Sequence, residues 1–124
     1  MSKFLPKYKK LSDILMDQKL AKLGDAYINF LYSLALSKKQ KEATGIKVKG
    51  RLLADAFKKA GLRDLLPSRI DLHKQANAAE ALIVYAWIQG KITLEEGLEI
   101  LKQNDDSVEA FRTLLLIAKN RVEM

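Results

Sequence analysis

Residues 23–36 read LGDAYINFLYSLAL, an apolar run of helical character that carries one acid near its start. Together with the residues before it, this stretch predicts a helix from about residue 18 to residue 37. Its polar residues Lys22, Asp25, Asn29 and Ser33 stand three or four apart, so they share one face. From 26 to 36 the other faces are apolar, which predicts a helix central to the fold or to a dimer. Asp25 is therefore an acid set among apolar neighbours, where desolvation costs several kcal/mol unless a partner is supplied.

A second helix, predicted from 71 to 88, repeats the arrangement. Lys74, Asn77 and Glu80 fall at i, i+3 and i+6, again on one face, and ALIVYAWI follows without a polar residue. Ala76, Ala78, Ala79 and Ala81 surround the polar set and allow a neighbouring backbone to come close. Two arrangements satisfy Asp25 and Glu80. In one, each acid pairs with a lysine (Lys22, Lys74) or a helix N-terminus and ties helices together. In the other, the two carboxylates face one another and share a hard cation such as Mg2+, which takes oxygen ligands and keeps several waters. Convergence of the two carboxyls to within roughly 5 Å, the reach of one hydrated divalent ion, distinguishes a shared site from two separate ion pairs.

Helical periodicity extends through the rest of the chain. Ser12 with Asp13 reads as an N-cap and first-turn acid. Residues 38–50, KKQKEATGIKVKG, read as the mobile connection. Residues 51–60 are amphipathic and stop at Gly61, and 62–66 form a short turn ended by Pro67. Asp71 is placed to cap the second acidic helix, which ends at Gly90. Thr93 with Glu96 is a capping box opening a helix to about 103, and the 104–107 loop caps a last helix with Val108, Phe111, Leu114, Leu115 and Ala118 inward. Nothing alternates with period two, so the expected class is all-α, in one domain over residues 1–124.

Composition narrows the functions. There is no cysteine, so disulfides and thiolate metal sites are excluded. No apolar run reaches the roughly 18–20 residues of a membrane span, and the basic N-terminus lacks the apolar core of a signal peptide. A cytoplasmic protein without membrane contact is expected. One histidine, His73, without a nucleophile-elbow motif, gives no hydrolase triad; it reads as a surface or hydrogen-bonded residue. Residues 1–70 hold 16 Lys and Arg against 6 Asp and Glu, and residues 71–124 hold 6 against 9, a division of +10 and −3. A basic half of this kind suits a polyanion, nucleic acid above all, or is a solvated lysine-rich surface. Tyr27, Phe30, Tyr32, Tyr85 and Trp87 stand at core spacings and read as packing rather than base-stacking residues.

The two acidic helices resemble a known family. LGDAYINFLYSLAL is similar to the signature helix of the ribonuclease III catalytic domain. RLLADAFKKAGLRDLL (51–66) is similar to the segment that follows it there, and NAAEALIVYAWIQGKI (77–92) to the second acidic helix. The three segments lie in the family's order over 18–92. No double-stranded-RNA-binding domain is read after them, so the likeness is to the compact Mini-III type or an archaeal single-domain relative.

The resemblance implies a dimeric, ribonuclease III-like helical domain that is a Mg2+-dependent (or Mn2+-dependent) endoribonuclease on double-stranded or structured RNA. Asp25 and Glu80 match the family's metal-associated acids and are the implied catalytic pair. Asn77 stands where the family has an aspartate and offers a neutral oxygen to the metal. Ala21 and Arg51 stand at two further acid positions, leaving two carboxylates where orthodox members supply about four. The homodimer would form through 26–36, and the duplex would lie near Lys22, Lys74, Lys47, Lys49, Arg51, Arg63 and Arg69. Recognition of double-stranded RNA by shape and phosphate suits lysines and arginines without an aromatic platform. A degenerate, RNA-binding relative and an unrelated helical interaction domain with structural acids are the competing readings.

Overall fold

Among residues 4–123, which the computed structural model describes, the helical periodicity becomes six α-helices and one 3₁₀ turn, and no strand. The helices are α1 (Leu11–Leu15), α2 (Gln18–Gln40), α3 (Gly50–Lys59), α4 (Leu72–Ile88), α5 (Leu94–Lys102) and α6 (Ser107–Val122), with the 3₁₀ turn at Arg63–Leu65. Local signals set most boundaries. Asp71 caps α4 by accepting from the Lys74 amide, and Asp106 caps α6. Both halves of the Thr93–Glu96 capping box form at the start of α5. The start of the chain departs from expectation: α1 begins at Leu11 with no side-chain cap, so Ser12 is inside it. The cap that matters here is Asp17, which accepts from the Leu20 amide to open α2 and from the Tyr8 hydroxyl at 2.6 Å.

Within one subunit the most enclosed helix is α4. It packs against α1, α2, α3 and α6, and its apolar run from Ala76 to Ile88 is buried apart from Asn77, Tyr85 and Trp87. Phe57 of α3, Leu82 of α4, and Phe111 and Leu115 of α6 form the fully buried centre. Each such side chain contributes about 1.5–3 kcal/mol by leaving water. Helix α2 lies across α4 and buries only part of its surface. Phe30 on α2 is 57% exposed and Trp87 at the end of α4 is 41% exposed, so these two of the five aromatics lie outside the core.

The crossing of α2 and α4 is fixed by a glycine. A Cβ built on Gly24 would overlap the Glu80 carbonyl, so the two backbones approach more closely than any side chain allows. The small residues Ala78, Ala79 and Ala81 on α4 are buried beside this crossing.

The 38–50 connection is shorter and more ordered than its composition suggests. Helix α2 continues to Gln40, and the chain then runs back along the helix, tied to it by side chains. Ser37 Oγ accepts from the Thr44 amide at 2.9 Å, and Ser33 Oγ accepts from the Ile46 amide at 2.9 Å. The Ser33 hydroxyl also donates to the Ile46 carbonyl, and the Ser37 proton is shared between the Ser33 carbonyl at 2.8 Å and the Thr44 carbonyl at 3.1 Å. Asn29 Oδ1 accepts from the Val48 amide at 2.8 Å. The polar stripe of α2 thus satisfies backbone groups that would otherwise need water.

Replacing Gly24 by alanine should lower the stability by about 3 kcal/mol, because the overlap is with backbone that cannot yield. Gly45→Ala, where a Cβ meets open space, should change it by less than about 0.5 kcal/mol. Urea unfolding midpoints at equal slope measure both.

Candidate functional site

Asp25 follows Gly24 directly, and Glu80 supplies the carbonyl against which Gly24 rests. The same close approach therefore brings the two carboxyls together, and they share a hydrogen bond. Glu80 is only 7% exposed. Burial first, then the hydrogen bond to Asp25 and its charge, push the Glu80 carboxyl up to about 8. At neutral pH it is largely protonated, and its O–H donates to the Asp25 carboxylate. On Asp25 burial works upward, but the Glu80 hydrogen bond and the Lys47 ammonium outweigh it and hold this acid below its usual range.

Lys47 is the cation at the pair. Its Nζ lies 3.3 Å from both Asp25 oxygens. Asn29 Nδ2 approaches Asp25 Oδ1 at 3.4 Å, so Asn29 joins the acid to the Val48 backbone. Lys22 and Lys74, the lysines nearest the acids in sequence, make no ion pair among the described residues. Lys22 does line the same cleft, as do His73 and Asn77.

The cleft has a volume of about 400 Å³, room for on the order of ten waters at ~30 Å³ each. A hydrated cation and a phosphate group fit within it. Ala21 lines it one turn before Asp25, and Gly50, the first residue of α3, lines it on the far side. Among the described residues no three His, Cys, Asp or Glu side chains gather into a metal-ligand group. Two carboxyls and the Asn77 amide are the oxygen donors at hand.

The basic residues proposed from sequence divide. Lys22 and Lys47 line the cleft; Lys49, Arg51, Arg69 and Lys74 do not line it, and all four are exposed. Arg63 is half-buried and donates to the Pro67 carbonyl at 3.1 Å, closing the turn after α3. Arg69 adopts a left-handed backbone (φ 62°), an unfavourable conformation for a residue with a Cβ. Three features of the site escaped sequence reasoning: the Gly24 contact, the bridging role of Asn29, and Lys47 as partner of Asp25. The four-residue spacing of Asp25, Asn29, Ser33 and Ser37 was the available signal for the last two.

A family model described as Ribonuclease III matches residues 18–120, a span that contains every residue of the cleft. None of the curated proteins matches the chain.

The raised Glu80 carboxyl makes stability pH-dependent. Native Glu80 holds its proton up to about 8, while the unfolded chain releases it near the ordinary glutamate value. Between these limits the native state binds more protons, so metal-free stability should fall as pH rises from about 5 to about 8. The expected loss is on the order of a few kcal/mol. Glu80→Gln keeps the donor without the titration, and its thermal midpoint in chelator should be nearly flat over that range.

Proposed function

The chain belongs to the ribonuclease III family, and from that premise we propose that it is a divalent-metal-dependent endoribonuclease acting as a homodimer on double-stranded or structured RNA. Membership supports a ribonuclease-like function. The observation that carries the finer reading is the meeting of Asp25 and Glu80 in a cleft edged by Lys22 and Lys47.

The donor set fits one mostly hydrated hard cation. Asp25 is ionised, Glu80 can give up its shared proton, and Asn77 adds a neutral oxygen donor at the same cleft. When bound, Mg2+ or Mn2+ there supplies Lewis acidity to the scissile phosphate and to water. The chain's own residues do the remaining work. Asp25 and Glu80 orient the cation, and the Gly24 crossing fixes their separation. Lys22 and the exposed Lys49, Arg51, Arg69 and Lys74 would meet backbone phosphates, where ammonium and guanidinium groups give strong, salt-dependent binding.

The dimer reading rests on the uncovered side of α2. Leu23, Tyr27, Phe30 and Leu34 repeat at helical spacing, and Leu23 and Phe30 are exposed. Trp87 extends this side by stacking on Tyr27 with ring centroids 4.8 Å apart, and exposed Ile46 lies beside Phe30. A two-fold contact that covers this surface would bring two clefts to one RNA. A binding-only relative is the second reading. Ala21 and Arg51, standing where the family's further acids are implied, favour it.

With long double-stranded RNA and Mg2+ or Mn2+, cleavage is expected from the wild type and should fall at least about 100-fold in both Asp25→Asn and Glu80→Gln. RNA retained without cleavage by the wild type selects the binding-only reading. Phe30→Lys should convert the dimer to monomer in sedimentation equilibrium while the fold, judged by circular dichroism, persists.

A further inference from the structure

Lys47 reaches Asp25 from an anchored stem. The residues on either side of it are both fastened to α2: Ile46 through its amide and carbonyl to Ser33 Oγ, and Val48 through its amide to Asn29 Oδ1. The tip is less constrained. The Lys47 side chain is 73% exposed, and among the described residues its hydrogen bonds and ion pair go to Asp25. A backbone held on both sides with a long, solvated side chain between allows the ammonium to move several ångströms without disturbing the fold.

The charges of the cleft give that movement a purpose. The Asp25 carboxylate is matched by the Lys47 ammonium, and among the described residues neither Lys22 nor Lys74 pairs with an acid. Two carboxyls balance one divalent cation without help, so an ammonium left on Asp25 would repel a cation placed there. An RNA phosphate in the cleft is the acceptor that the displaced ammonium needs. Resting on the nuclease reading, we propose that Lys47 is the built-in counter-cation of the carboxyl pair, holding Asp25 at rest and exchanging onto an RNA phosphate as it yields Asp25 to a divalent cation. Lys47 thereby positions the phosphate beside the carboxyls and couples the occupancy of the two ligands. By linkage, whatever draws Lys47 away from Asp25 raises affinity for the cation.

Two measurements on the full chain test this, and neither reads cleavage. In the first, Mn2+ binding without RNA is followed by electron paramagnetic resonance. Lys47→Met should bind Mn2+ about two- to fivefold more tightly than wild type, the worth of an exposed ion pair removed as competitor. Ser33→Ala, which loosens the stem, should move affinity the same way by less. In the second, binding of a short RNA duplex is measured in Ca2+ across a salt series. Lys47→Met should reduce the slope of log affinity against log salt by about one phosphate contact, and Lys47→Arg should restore it. Mn2+ affinity unchanged or weakened in Lys47→Met overturns the proposal, as does an unchanged salt slope. A wild-type chain that fails to cut RNA in the separate assay overturns the nuclease reading alone.

Discussion

At Gly24 the backbones of α2 and α4 lie closer than any side chain permits, and the arrangement of the cleft follows from that contact. It sets the Glu80 carbonyl against α2 and thereby places the Glu80 carboxyl against Asp25, the next residue along. Two acids that act on one another in a half-dry site do not both ionise, so one takes the proton and the other keeps the charge. The division follows burial: Glu80 on the central helix is the protonated member, and Asp25 at the cleft edge is the charged one. The glycine of the LGDA string is thus a packing residue whose effect is felt in the electrostatics beside it.

The second constraint comes from the polar stripe of α2. Asp25, Asn29, Ser33 and Ser37 repeat at four-residue spacing, which aligns their side chains in one row on a helix. Three of them hydrogen-bond backbone groups of residues 44–48 and lay that segment along the helix. Lys47 is delivered to Asp25 by this row and not by its proximity in sequence. A lysine-rich stretch that would otherwise be solvated loop becomes one wall of the cleft.

Helix α2 therefore has three kinds of surface. One buries Ile28, Leu31 and Ala35 in the core, one carries the polar row, and one leaves Leu23 and Phe30 in water. The last is extended by Trp87 stacked on Tyr27. An apolar helix in a domain of this size can have too little protein around it to cover every side. Its excess apolar surface is the physical basis of the proposed dimer.

Much of the architecture was legible in the amino-acid order because helices are local structures. The 3.6-residue periodicity, the Asp71 cap, a cap from the 104–107 loop (Asp106 in the structure) and the Thr93–Glu96 box depend on neighbours within a turn, and all of them form. The polar faces that carry Asp25 and Glu80 were legible for the same reason, but whether the two acids face one another or pair separately with lysines was left open. Elements governed by distant contacts were less legible. Helix α4 is the more enclosed of the two acidic helices within one subunit, because burial depends on how many helices surround an element and not on its own hydropathy. Residues 44–48 are ordered because hydroxyls of α2 satisfy their backbone, which composition cannot express. That Lys47, not Lys22 or Lys74, holds Asp25 was decided by tertiary structure alone, since the segment had to fold back along α2 before its ammonium could reach the acid.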